Sequence, residues 1–123
     1  MKENMITINE SGVVSVPDNV QMRDFEIAEL FGVMIPTVRS YIRAILKTGI
    51  VRGDYTAGTT LVGCNVLPDY YGLDMVVALA FRIQSAQAEI FRCWLLRKAM
   101  KKEQKINSQI FIPMNNKRNE ILN

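Results

Sequence analysis

The sequence DFEIAELFGVMIPTVRSYIRAILK, residues 24–47, contains two runs of apolar side chains on either side of Gly32. Within each run the apolar residues recur every three or four positions, which predicts two short amphipathic helices joined by a turn. Asp24 is the expected N-cap of the first helix. Pro36 suits the first turn of the second helix, where its missing N–H is not needed. The apolar stripe of the second helix consists of Val38, Tyr41, Ile42 and Ile45.

This arrangement has the spacing of a helix-turn-helix motif. Such a motif needs a small side chain in the first helix where the second helix crosses it, and Ala28 meets that need. The turn needs a residue that tolerates a positive φ angle, and Gly32 is such a residue. We therefore predict a helix-turn-helix in which the helix over 36–47 enters the major groove of DNA.

The face of this second helix opposite the apolar stripe carries short polar and long cationic side chains. No acidic residue lies between Glu29 and Asp54. Short polar groups near the start of a recognition helix, with cations further along, suit contacts to DNA bases and phosphates. An ordinary helical hairpin with a solvated basic face has the same pattern, so this alternative stays open. The predicted DNA-binding residues are Thr37, Arg39, Ser40, Arg43, Lys47 and Arg52.

Charge is unevenly distributed along the 123 residues, whose formal net charge is +3. Residues 1–31 carry two basic and six acidic side chains, whereas residues 32–123 carry thirteen basic and six acidic ones. A surface that faces a polyanion produces such an asymmetry, and so does a need for solubility alone. The distribution is thus compatible with double-stranded DNA as a partner.

Several residue types that enzymes and metal sites use are missing. The chain has no histidine, which excludes Ser-His-Asp and Cys-His catalysis and histidine metal ligands. Cys64 and Cys93 are far apart, which argues against a zinc ribbon. No apolar run reaches the length of a membrane span, and the first ten residues do not resemble a signal peptide. We expect a non-enzymatic, cytoplasmic protein without metal, cofactor or membrane association.

Two short β-hairpins are predicted, one on each side of the motif. The segment Met5–Asp18 has apolar residues on both sides of a turn-forming stretch at 9–12. Residues 52–66 predict a second hairpin with its turn near 58–60 and Arg52 at its base. A hairpin directly after a recognition helix is typical of a winged helix. Because the predicted tip has no cation, we favour a structural strand pair over a DNA contact.

Two more helices are predicted in the C-terminal part. The first covers the apolar segment Leu73–Phe81, with Leu73, Val76, Val77, Ala80 and Phe81 as its buried face. Ser85 is the expected cap of the second, over 86–103, whose end is basic. Those cations either complement the helix dipole or make a second nucleic-acid contact. We predict one domain over 1–105 and a poorly ordered tail over 106–123. The predicted fold class is α+β, a winged-helix-like helix-turn-helix with two small β-hairpins and a C-terminal pair of packed helices.

A second informative pattern is YYGLDMVVALAFRIQSAQAEIFRCW, residues 70–94. It contains a tyrosine pair, a Leu-Asp pair, an apolar helix that ends in Phe-Arg, a serine, and Phe-Arg-Cys-Trp. This pattern resembles the N-terminal region of the RhuM-type virulence proteins, which carry Tyr-Tyr-Asn-Leu-Asp and Phe-Arg-x-Trp at the same spacing. Residues 28–33 resemble the helix-turn-helix of that family. The resemblance implies a regulatory, DNA-associated protein of a mobile element that has no enzymatic activity.

The resemblance also implies which residues hold the scaffold together. We expect Arg82 and Arg92 to pair with Asp69 or Asp74, and thereby to set the angle between the last two helices. Trp94 is expected to lie in the core. The scaffold residues are Ala28, Gly32, Tyr71, Asp74, Arg82, Phe91, Arg92 and Trp94.

One departure from the family pattern leaves a second function open. Where the family places Asp-Arg-Ser at the end of the turn, this chain has Met34-Ile35-Pro36. Two exposed apolar residues at that tip suit a protein partner as well as DNA. The alternatives are therefore a DNA-binding module, expected to be a homodimer, and an antirepressor-like module that keeps the fold, binds a protein and has little affinity for DNA.

Overall fold

The computed structural model of the chain describes the backbone of residues 4–109 and the side chains of residues 4–101. In this part of the chain the architecture is α+β, with four α-helices and two antiparallel sheets of two strands each. The elements are β1 Thr7–Ile8, β2 Val14–Ser15, α1 Asp24–Phe31, α2 Ile35–Thr48, a 3₁₀ turn Tyr55–Ala57, β3 Thr59–Val62, β4 Asn65–Pro68, α3 Leu73–Ala80 and α4 Ala86–Gln109.

The chain divides into two compact units, Met1–Cys93 and Trp94–Asn123. The first unit contains both sheets, helices α1 to α3 and the beginning of α4, whereas the rest of α4 belongs to the second. The predicted single domain over 1–105 stays a prediction. The tail predicted to start at residue 106 is still helical as far as Gln109, and its remainder lies outside the described residues.

Helix α1 begins one residue earlier than its predicted cap implies. The prediction of Asp24 as N-cap is wrong, because Arg23 occupies that position with an extended backbone and Asp24 is the first helical residue. An oxygen of Glu26 accepts a hydrogen bond from the backbone N–H of Arg23 at 2.8 Å, as in a capping box. Asp24 is thereby left with a different role, described below.

The turn between α1 and α2 has the predicted chemistry. Gly32 adopts a φ of 67°, and the side chain of Gln87 lies 2.8 Å from where a Cβ atom would stand. Both the left-handed backbone and this close approach favour glycine. Helix α2 then has Pro36 in its first turn and ends at Thr48, followed by the C-cap Gly49, whose φ is 76°.

The apolar faces of α1 and α2 pack against each other as predicted. Ala28 is buried in α1, and Val38, Ile42 and Ile45 are buried in α2. Tyr41, which was expected in the same stripe, is only half-buried.

The first hairpin agrees with its prediction, whereas the turn of the second does not. Strands β1 and β2 pair Thr7 with Ser15 and Ile8 with Val14. In the second hairpin the turn lies at Gly63 and Cys64, because Val62 pairs with Asn65. Gly63 adopts a positive φ of 64°, which a tight hairpin turn favours. The residues predicted for the turn, 58–60, lead into β3 or belong to it.

A short β-bridge connects the segment before α1 to the segment before α3. The backbone N–H of Met22 donates to the carbonyl of Tyr71 at 3.0 Å, and that of Tyr71 donates to the carbonyl of Met22 at 2.8 Å. Both side chains are buried. Tyr71, predicted to belong to the scaffold, therefore anchors the segment that leads into α1.

Helix α3 buries a face that agrees with the predicted one only at Val76 and Ala80. Met75, Val76, Leu79 and Ala80 are buried, whereas Leu73 and Phe81 are exposed. The helix ends at Ala80, so Phe81 lies beyond its last turn and the predicted stripe does not continue through it. The buried face packs against α2.

The predicted pairing of Arg82 and Arg92 with carboxylates is wrong. Arg92 donates from Nη1 to the backbone carbonyls of Ala80 and Ile83, at 2.6 and 2.9 Å. The last carbonyls of a helix have no partner within the helix, so a cationic donor is favoured there. Arg82 is exposed, and within residues 4–101 neither arginine forms an ion pair. Asp74 instead accepts the backbone N–H of Met75 at the start of α3, at 2.8 Å.

Phe91 and Phe31 are large aromatic residues of the core, whereas Trp94 is less deeply buried. Phe91 is fully buried, and its ring meets that of Phe31 edge to face, with 6.0 Å between the ring centroids. Trp94 is half-buried, so its predicted core position is met only in part. The ammonium of Lys98 lies 5.5 Å from the centre of the Trp94 ring. A tryptophan side chain is large and is rarely buried completely.

Candidate nucleic-acid interface

The exposed face of α2 carries most of the residues predicted to bind DNA. Thr37, Ser40 and Lys47 are exposed, whereas Arg39 and Arg43 are half-buried. At 100° per residue, Ser40 and Lys47 lie near the middle of this face, and the two arginines share one flank. No acidic residue occurs in α2.

The second hairpin lies along the arginine flank of α2. Arg43 and Lys47 border a cleft whose opposite wall includes Tyr55, Asn65 and Val66. Residues 59–68, which form the hairpin, contain no charged side chain. Leu61 and Val66 pair across its strands and remain exposed, to 68% and 54%. The hairpin therefore adds apolar and neutral surface beside the cations of α2.

Arg39 differs from the other cations because its charge is compensated. Its Nε lies 2.7 Å from Oδ2 of Asp24, and the two side chains are 38% and 20% exposed. This is the one ion pair among the residues that the structure describes, so Arg43 and Lys47 remain without an acidic partner in that part of the chain. Sequence reasoning missed the role of Asp24, which lies fifteen residues before Arg39 and gives no local signal.

Arg52 does not join the basic face of α2. It lies in a separate cleft with Asp54, Tyr70 and Asp74. Asp54 accepts the backbone N–H of Thr56 at 3.0 Å, and the hydrogen bonds from Thr56 keep the pKa of this carboxyl below its usual value. Arg52 therefore has acidic neighbours and is the predicted DNA-binding residue with the weakest structural support.

Arg23, the N-cap of α1, lies against two aromatic rings. The guanidinium carbon of Arg23 lies 5.2 Å from the centre of the Tyr70 ring and 5.8 Å from that of Phe25. Contacts of this kind fix the direction of an arginine side chain while leaving its charge in place. Arg23 has no local sequence signal for this role, because its aromatic partners are not at helical spacing from it.

The turn that leads into α2 presents an apolar tip. Met34 is the N-cap of α2 and is 73% exposed, and Ile35 beside it is half-buried. The backbone carbonyl of Met34 accepts the first hydrogen bonds of the helix, from the N–H groups of Thr37 and Val38 at 3.1 and 3.3 Å. The side chain makes no capping hydrogen bond, so its exposure is not explained by the needs of the helix.

The pKa of the Tyr71 hydroxyl depends on its burial and on the nearby charge of Asp24. Burial is the main cause that raises the pKa of the Tyr71 hydroxyl well above its ordinary value of 10.0, and the negative charge of Asp24 adds to it. The folded protein therefore disfavours the tyrosinate. Stability from this group is fully present below pH 10 and is lost as the pH rises above that value, where the unfolded chain ionises first.

Replacing Tyr71 by phenylalanine is expected to flatten the alkaline part of the stability profile. Above pH 10 the free energy of unfolding of the natural protein should fall faster than that of Tyr71→Phe, by up to about 1.4 kcal/mol per pH unit. Urea denaturation at pH 8 to 11 measures the difference, and the half-buried Tyr41, replaced by phenylalanine, provides the control. Parallel profiles for Tyr71→Phe and the natural protein would contradict the expectation.

Two other kinds of feature, metal sites and membrane-spanning helices, are absent from the part of the chain that the structure describes. The described residues contain no group of three or more His, Cys, Asp or Glu side chains placed to hold a metal ion. Among the helices that the structure describes, none combines the length and the apolar character needed to cross a bilayer. No protein-family model, curated protein or solved structure matches this chain.

Proposed function

We propose that the chain is a DNA-binding module that inserts α2 into the major groove of double-stranded DNA. The observation that carries this proposal is the 14-residue helix α2, which follows a glycine turn, has no acidic residue and exposes Thr37, Ser40 and Lys47 beside Arg43. Short polar groups suit base edges, and unpaired cations suit phosphates. Helix α1 packs against α2, and Ala28 is buried in α1, which supports a helix-turn-helix arrangement of the two helices.

The second hairpin supports a winged-helix-like version of this proposal. It follows α2 in the chain and lies beside its arginine flank, as a wing does. Because residues 59–68 are uncharged, we assign the hairpin mainly to the support of α2 and only secondarily to DNA contact. The likeness of residues 70–94 to RhuM-type proteins agrees with a cytoplasmic transcriptional regulator of a mobile element.

A homodimer is part of the proposal because one protomer has few cations for DNA. Arg43 and Lys47 are unpaired within the described residues, and Arg39 is compensated by Asp24. Two protomers on two half-sites, one helical turn apart, would double the number of phosphate contacts. The exposed Arg97, Lys98 and Lys101 of α4 are further candidates for such contacts, in the second unit of the chain.

The first test is a titration of the protein into mixed-sequence duplex DNA at several salt concentrations, followed by fluorescence anisotropy. We expect the logarithm of the binding constant to fall linearly with the logarithm of the salt concentration. The slope should be about −2 to −3 for one protomer and about twice that for a dimer, since each neutralised phosphate contributes about −0.9. Sedimentation of the complex gives the stoichiometry. Absence of binding even at low salt would contradict the proposal.

A second candidate function is a protein-interaction module of antirepressor type. The observation in its favour is Met34, which is 73% exposed at the beginning of α2, where a recognition helix usually presents polar groups. An exposed methionine adapts well to an apolar partner surface. Lack of DNA affinity at low salt, in a protein that is folded, would favour this function over the first.

A further inference from the structure

We propose that Asp24 orients Arg39 to read a guanine in the major groove, so that this pair sets a sequence preference for the DNA interface. Asp24 is then a positioning residue, and Arg39 is the residue that touches the base. This inference rests on the proposed DNA-binding function and makes it more specific, since it names one base that the site selects.

The carboxylate of Asp24 is fixed at both of its oxygens. Oδ1 accepts the backbone N–H of Phe25 at 2.7 Å, and Oδ2 accepts Nε of Arg39 at 2.7 Å. The first contact ties the carboxylate to the beginning of α1, and the second extends this restraint to the guanidinium. Because Asp24 is only 20% exposed, water competes weakly for these hydrogen bonds.

The arginine is held by one edge only, which leaves its other edge available. Only Nε of Arg39 is engaged, and neither Nη group donates to another of the residues that the structure describes. Two parallel N–H groups at the end of a guanidinium match the O6 and N7 acceptors of guanine, the commonest specific contact in protein–DNA interfaces. An arginine whose direction is already fixed loses less side-chain entropy when it binds.

The net charge of the Asp24–Arg39 pair favours a base contact over a phosphate contact for Arg39. The Asp24–Arg39 pair is neutral overall, and a carboxylate beside a phosphate would repel it. The pair therefore gains little from the phosphate backbone but keeps the directional donors that a base requires. Arg39 also lies in the first half of α2, the half of a recognition helix that reads base edges. Arg43 and Lys47, unpaired among the described side chains, are better suited to phosphates.

The test begins with in vitro selection from a randomised duplex library by the natural protein, which identifies the preferred site. A variant of this site is then made in which one G·C pair is replaced by A·T. The guanine preference is the Kd for the variant site divided by the Kd for the selected site. We expect that ratio to fall about five- to 100-fold in Asp24→Ala and in Arg39→Lys, because both remove the oriented fork. Affinity of Asp24→Ala for non-specific DNA should stay unchanged or rise.

Glu29→Ala is the matched control, since it removes one exposed carboxylate from the same helix and should leave the ratio unchanged. Melting curves establish that each variant is folded, and Arg39→Lys carries the test if Asp24→Ala is not. The inference is overturned if the natural protein selects no guanine, or if folded Asp24→Ala and Arg39→Lys keep the full preference. It is also overturned if Asp24→Ala strengthens binding to every sequence equally. If the natural protein binds no duplex at any salt concentration, the proposed function itself fails.

Discussion

Phe91→Ala is expected to lower the free energy of unfolding by about 3–5 kcal/mol, the usual cost of truncating a large buried aromatic side chain. Phe91 is fully buried and meets Phe31, the last residue of α1, edge to face. Its removal therefore leaves a cavity directly behind the helix-turn-helix and also breaks an aromatic pair. Urea denaturation followed by circular dichroism measures the loss.

The matched control for this variant is Phe81→Ala. Phe81 lies ten positions earlier in the sequence, directly after α3, and is 53% exposed. The same atoms are removed, but most of them already contact water, so we expect a loss below about 1 kcal/mol. Equal losses for the two variants would show that Phe91 does not hold the core as the structure indicates.

The double variant Arg43→Glu, Lys47→Glu is expected to weaken DNA binding by at least about 100-fold at low salt. Hydrogen bonds to charged groups contribute about 1.5–3 kcal/mol each, so the loss of two phosphate contacts alone accounts for this factor. The slope of the salt dependence should also become shallower by about 2 for each bound protomer, and therefore by about 4 for a dimer. Anisotropy titrations on one duplex at several salt concentrations measure both quantities.

The fold should survive this double variant, because neither side chain forms an ion pair with another residue of the described part of the chain. Arg82→Glu is the control for electrostatics in general. Arg82 is an exposed cation of the same unit and lies outside α2. Its reversal should reduce the affinity only slightly. If Arg82→Glu weakened binding as much per charge as the double variant, the affinity would depend on net charge, and α2 would lose its assigned role.

The sequence predicts the turn between α1 and α2 and the end of α2 well, because both depend on local backbone chemistry. Gly32 and Gly49 both adopt the left-handed conformation that ends a helix, and Pro36 lies in a first turn, where its missing N–H has no cost. The buried stripe of α2 follows from the helical period, since the spacing of Val38, Ile42 and Ile45 places these apolar side chains on one side of the helix. Such features are determined within a few residues of each position.

Predictions that depended on packing between elements were less accurate. The turn of the second hairpin lies at Gly63, because strand register is decided by pairing along the whole ladder and not by the densest cluster of turn residues. Arg92 bonds to the carbonyl of Ala80 at the end of α3 and to that of Ile83 in the loop beyond it, because both acceptors lie within reach of its side chain. A residue pattern cannot distinguish a carbonyl from a carboxylate as the partner.

For the candidate DNA interface, the sequence by itself establishes the chemical character of α2, a helix with three cations and no acid. Only the tertiary structure distinguishes those cations from one another. Asp24 neutralises and orients Arg39, whereas Arg43 and Lys47 have no such partner among the described residues. The physical reason is that this contact joins two helices whose crossing angle and side-chain rotamers decide which charges meet. The period of either helix contains no information about that choice.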